Sequence, residues 1–147
     1  MYKKKLNKIT ELLKNHLKRD KLIEFLKKFY SKYQAEFIIL FGSSAKGYFN
    51  YRSDIDLLIV SDSIEGDYFE KLRKMYDISS DGIDFFVYNI DKFDEMVKEF
   101  HPITLEALYN GILLYDKGMG KKYKKRVKKL LENDTIRRSK NSWTINN

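Results

Sequence analysis

Three aspartates occupy positions where an apolar strand ordinarily carries none. Asp54 and Asp56 flank Ile55 at the head of the run IDLLIV, and Asp84 interrupts the run GIDFFVY. Residues two apart on a strand point to the same side, so Asp54 and Asp56 project together while Ile55 and Leu57 enter the opposite layer. Two like charges about 4 Å apart repel by about 4 kcal/mol at an effective dielectric of about 20. A chain that keeps them beside an apolar layer calls for a cation or a proton there. If the strands holding 54–60 and 82–88 are neighbours, Asp84 completes a three-carboxylate cluster. The sequence has no cysteine and only two histidines, His16 and His101, so a metal here would be held by oxygen. Such a donor set suits a hard cation such as magnesium, which keeps waters and takes substrate phosphates as its other ligands. Upstream, Gly42 and Ser43 follow the apolar run FIILF. Backbone N–H groups at that turn, with the hydroxyls of Ser43 and Ser44 and the charge of Lys46, form a candidate phosphate site.

The surrounding elements follow from hydrophobic period. Leu6, Ile9, Leu13 and Leu17 recur at helical spacing, and Leu22, Phe25, Leu26, Phe29, Tyr30 and Tyr33 form a second set behind Asp20, the expected N-cap. The continuous apolar runs 37–41 and 55–60 read as strands buried on both faces. A helix is expected over 67–78, a strand over 82–88, a helix over 91–100, and another from Pro102 that Gly111 stops. Residues 112–115 read as a short edge strand and 121–131 as a basic helix. The polar tail from Asn133 contains Ile136, Trp143 and Ile145 and reads as a docked hairpin or a loose end, with Trp143 as its anchor in preference to a platform for stacking on nucleic acid. This order predicts an α+β domain, a small mixed sheet flanked by helices that cover one face or one end. The expected organisation is a single domain over 1–147, with a core of about 20–117 and a basic helix and tail over 118–147.

Composition narrows the functional classes. With 147 residues, 43% hydrophobic and 34% charged, the chain suits one folded domain, and a function that needs several domains is not expected. No apolar run approaches the about 20 residues of a membrane span, and a cytoplasmic location is expected. The formal net charge of +8 is concentrated at both ends, in Lys3, Lys4, Lys5 and Lys8 and in Lys121, Lys122, Lys124, Lys125, Arg126, Lys128 and Lys129. That pattern describes either two solvated helix faces or a field for a polyanion or nucleotide. Both histidines lack partners at metal or triad spacing and read as surface residues. Tyr48 and Tyr51 flank the loop before the paired aspartates and are candidates to lie near a nucleotide.

FGSSAKG, followed ten residues after Ser43 by DID running into an apolar strand, resembles the signature of the nucleotidyltransferase superfamily that includes DNA polymerase β. The compact spacing is most similar to the minimal nucleotidyltransferases (MNT), over about Asp20 to Lys117, with GIDFFVY and LEALYNGILLYDKG as supporting matches. The resemblance implies that Asp54 and Asp56 hold two magnesium ions, that Asp84 binds one of them and helps remove a proton, and that Gly42 and Ser43 grip the triphosphate of ATP or another nucleotide. Lys46 stands where the group often carries arginine, keeping the charge without the bidentate fork. The resemblance further implies transfer of AMP to a hydroxyl, with a tyrosine of a HEPN-domain toxin as the leading acceptor and an antitoxin role. RNA and a second copy of the chain are the other candidate partners. The competing reading is a non-catalytic module that binds nucleotide, RNA or a protein partner on a degenerate version of the same fold.

Overall fold

The computed structural model describes residues 11, 13–14, 18–42, 54–140 and 142–146. Helix α1 (Arg19–Lys32) buries Leu22, Phe25, Leu26 and Phe29, the i, i+3, i+4, i+7 stripe of an amphipathic helix. Its N-cap position is Lys18, with no side-chain cap, and Asp20 lies inside the first turn. The expected capping role of Asp20 is therefore replaced by a favourable interaction of its charge with the helix dipole. The helix expected over 5–18 falls largely outside the described residues, although Leu13 is fully buried in the core.

Strands β1 (Phe37–Phe41), β2 (Ile55–Val60) and β3 (Ile83–Tyr88) join the edge strand β4 (Ile112–Asp116) in a sheet ordered β3-β2-β1-β4. β1 is antiparallel to β2 and β4, whereas β2 and β3 are parallel. A parallel pair needs a crossover, and helix α2 (Tyr68–Asp77) provides it. Asp67 and Glu70 start that helix as a reciprocal capping box.

Helices pack on both sides of the sheet, rather than on one face or one end. All five residues of β1 are buried, so both of its faces need cover. Ile38, Leu40, Ile55, Leu57, Ile59 and Phe85 meet α1 and Met75 of α2. Phe37, Ile39, Phe41, Leu58 and Val60 form the second layer with α3 (Ile90–Lys98), α4 (Pro102–Asn110) and α5 (Met119–Glu132). Phe25 is 1% exposed and its ring lies 4.7 Å from that of Phe85. Phe25→Ala would cost about 3–5 kcal/mol, the usual range for an aromatic cavity.

Helix α4 begins at His101, whose Nδ1 accepts the Ile103 N–H at 3.3 Å, and carries Pro102 at its first position. It stops at Gly111, where a Cβ would collide with the Ala107 carbonyl and Ile39. Lys124 of α5 then donates from Nζ to the Leu108 and Gly111 carbonyls at 3.1 and 2.7 Å. An ammonium at a helix C-terminus satisfies orphan carbonyls and opposes the dipole. Burial shifts its pKa downward. Lys124 thus leaves the solvated basic cluster in which its sequence neighbours place it.

The tail forms a hairpin of β5 (Ile136–Ser139) and β6 (Ser142–Ile145). Ile136 is fully buried. Glu106 of α4 accepts both Nε and Nη2 of Arg138, Nε1 of Trp143 at 3.1 Å and Nδ2 of Asn110 at 2.9 Å. Trp143 is the tail's anchor. Among the described residues, no helix is long and apolar enough to cross a membrane.

Candidate active site

The parallel register of β2 and β3 sets Asp56 directly beside Asp84, and the antiparallel register of β1 and β2 sets Phe41 on the other side of Asp56. Both carboxylates lie on the α3 side of the sheet, at its end, above the Phe41 and Phe86 rings, which sit 5.3 Å apart. Gly42 ends β1 with φ +77°. A Cβ there would overlap Asp56 Oδ2, so glycine is required twice, for the left-handed backbone and for the space the carboxylate fills.

The electrostatics follow from this packing. Burial, then the charge of Asp84, then that of Asp54 raise the Asp56 carboxyl from an ordinary 3.8 to about 6. Each cause penalises the anion. Asp54 is exposed, and its Oδ1 takes the Lys18 ammonium at 2.6 Å. The Lys18 stem crosses Gly82, where a Cβ would strike its Cδ and Cε. Lys21, one turn further along α1, reaches Asp81 at 2.7 Å. The start of α1 therefore lays two cations across the acidic end of β2 and β3.

Of the residues expected to form the site, Gly42, Asp56 and Asp84 come together. Asp54 lies close enough to act on Asp56 but is engaged by Lys18. Among the described residues, no group of three carboxylates or histidines is arranged to enclose a metal ion. The donor chemistry nevertheless suits a hard cation. Asp56 and Asp84 present oxygens from neighbouring strands, and the Gly42 cradle leaves the Asp56 carboxylate its place. Ser43, Ser44, Lys46, Tyr48, Tyr51 and His16 lie outside the described residues. His101, expected at the surface, is half-buried and caps α4. Lys18 escaped the sequence reading because a contact across 36 positions leaves no periodic trace.

The family profile described as polymerase beta nucleotidyltransferase matches residues 20–119. The match spans both acidic strands and the turn at Gly42. The chain belongs to the polymerase β nucleotidyltransferase family, and it carries that family's nucleotidyltransferase domain. A solved structure from Sulfolobus solfataricus, assigned as a nucleotidyltransferase, is 22% identical and covers 74% of this chain and 87% of its own, with a TM-score of 0.51. It shows the same fold. A toxin-antitoxin structure with AMP-PNP is 17% identical over 79% of this chain and 88% of its own, at a TM-score of 0.48. A Shewanella oneidensis complex of a tri-AMPylated HEPN toxin with an MNT antitoxin is 14% identical over 92% and 90%, at 0.43. No curated protein matches by sequence.

Proposed function

We propose that the protein transfers a nucleoside monophosphate, AMP from ATP, to a hydroxyl acceptor, and that a tyrosine of a HEPN-type toxin is that acceptor. The observation that carries this reading is the pairing of Asp56 with Asp84 across β2 and β3, with Asp56 raised to about 6 beside a glycine that makes room for its carboxylate. Asp54, Asp56 and Asp84 are the residues that would hold magnesium. When bound, the cation supplies positive charge to the triphosphate and to the departing pyrophosphate.

The remaining work falls to side chains of this protein. The turn at Gly42, with Ser43, Ser44 and Lys46, binds the triphosphate and orients its α-phosphorus. The acceptor oxygen forms a bond to that phosphorus as the bond to the bridging oxygen of pyrophosphate breaks. Asp84, exposed at the start of β3, takes the proton from the acceptor hydroxyl. Lys18 neutralises Asp54 and lies where it can also screen an incoming phosphate.

The test is transfer of label from α-labelled ATP to a HEPN-type partner in the presence of magnesium. Wild type is expected to label the partner and the Asp54→Asn, Asp56→Asn double variant to leave it unlabelled. Equal labelling by both would end the reading. A second reading, a non-catalytic RNA- or partner-binding module, draws on the exposed cations Lys121, Lys122, Lys125, Lys128 and Lys129 along α5. It predicts that the double variant still neutralises the toxin and that wild type shows no magnesium-linked ATP binding.

A further inference from the structure

At the opposite end of the parallel strand pair from Asp56 and Asp84, the N-termini of three helices converge on a pocket. Gly66, Asp67 and Tyr68 from the start of α2, Asn89 before α3, and His101 and Ile103 from the start of α4 line a space of about 610 Å³. Tyr88, at the end of β3, lies four residues from Asp84, about 13 Å at the usual strand rise. The backbone donors here are already used. Asp67 takes the Glu70 N–H, Asn89 takes that of Lys92, Asp62 takes that of Ile90, and His101 takes that of Ile103. The helix ends alone therefore do not make a site.

Lys71 does. It is 9% exposed, yet it lines both this pocket and a smaller one of about 350 Å³ that shares Gly66 and Asn89. Among the described residues no carboxylate or carbonyl takes its ammonium, although a lysine so deeply placed normally has a partner. Asp62 and Asp67 are committed to backbone caps, and Asp91 and Glu99 lie on the walls without reaching it. Lysine held this way presents a buried positive charge to the cavity, whereas Lys92, also on the wall, is exposed and faces Glu95 at 3.9 Å. Val87, Met96 and Ile103 supply aliphatic surface, and Tyr68 and Tyr88 stack with centroids 5.6 Å apart and planes 23° apart.

We propose that this pocket binds a small planar aromatic molecule bearing one anionic group, its ring against the Tyr68–Tyr88 pair and its anion on Lys71. The volume accommodates such a molecule, and few polar groups around an apolar cavity are the usual make-up of a ligand site. A single charge matches the one buried cation, since Lys92 is exposed beside Glu95 and the wall carboxylates of Asp67 and Glu99 oppose a multiply charged ligand. The site is separate from the proposed transfer chemistry and does not depend on it.

The test is an amide NMR titration of the full chain with 2-naphthoate as probe and 2-naphthamide as its uncharged counterpart. Saturable shifts are expected at Lys71, Tyr88, Asn89 and Ile103, with naphthamide binding about tenfold more weakly, the loss expected for one charge-assisted hydrogen bond. Lys71→Met is expected to weaken naphthoate about tenfold on the same scale and to leave naphthamide unchanged. Ile103→Trp, which fills the pocket from its α4 wall, is expected to abolish both. Equal binding of the two probes by wild type, unchanged naphthoate binding in either variant, or shifts scattered over the surface would each overturn the proposal.

Discussion

Asp56 and Glu106 are both carboxyls at the rim of the layer where β1 meets α3, α4 and α5, and burial penalises the charge of each. Their neighbours then push in opposite directions. Glu106 is surrounded by donors, and although burial raises it, hydrogen bonds from Arg138, Asn110 and Trp143 and the charge of Arg138 hold it at about 2. Asp56 is surrounded by acids, which add to the effect of burial and lift it to about 6. The first arrangement is satisfied within the chain and fastens a hairpin to α4. The second is an electrostatic deficit that the fold keeps despite its cost, which is the usual mark of a site whose partner comes from outside.

The contrast can be broken at either end. The largest effect is expected on transfer: Asp56→Asn or Asp84→Asn should lower the rate of partner labelling by about a thousandfold or more, the scale of losing a group on which the transition state depends. Next comes Glu106→Ala, expected to destabilise the protein by about 2 kcal/mol because Arg138 and the Trp143 N–H lose their acceptor. Urea unfolding followed by tryptophan fluorescence measures it, and an unchanged midpoint would remove Glu106 from its fastening role.

The same Asp56→Asn change should stabilise the metal-free protein at pH 7 by about 1 kcal/mol, after discounting the shift for solvent screening. Because the folded carboxyl holds a proton that the unfolded one has released, wild-type stability falls as pH rises through about 4 to 6, and the variant should lack that slope. Glu106 has the reverse sign. Its depressed pKa stabilises the fold above about 4.5, and this is lost as pH falls toward about 2, so Glu106→Gln should flatten the acid limb by about 1 kcal/mol. Thermal unfolding across pH for the two variants separates the contributions. The smallest effect is expected at Lys18→Met, which should change the magnesium concentration for half-maximal labelling only a few-fold, since the Asp54 carboxylate it pairs with is half exposed.

The acidic half of this contrast is legible in the sequence, and the rest is hidden for a common reason. β1, β2 and β3 announce themselves as uninterrupted apolar runs, and the aspartates stand out because they interrupt such runs. That Asp56 and Asp84 are neighbours depended on which strands pair, a tertiary fact that hydrophobic period does not encode. Reading β1 and β2 as buried on both faces already implies cover on two sides, but which helices return to which face is set by tertiary packing that no single run records. Lysine positions were the least legible. Lys18, Lys71 and Lys124 resemble their solvated neighbours in sequence, yet one crosses a glycine to reach Asp54, one lines a cavity, and one closes a helix end. Each is fixed by residues distant along the chain. Glu106 carried no signal either, because its partners arrive from a tail whose docking the sequence left open.

The pairing of Asp56 with Asp84 also sets an order in time. Some 28 residues separate them, and they meet only once the α2 crossover has folded back and β3 has aligned with β2, a non-local step that local helix formation precedes. A nascent chain that has emerged only through β2 holds Asp56 next to β1 without its partner acid. The acid pair is therefore assembled only when β3 joins the edge of the sheet beside β2.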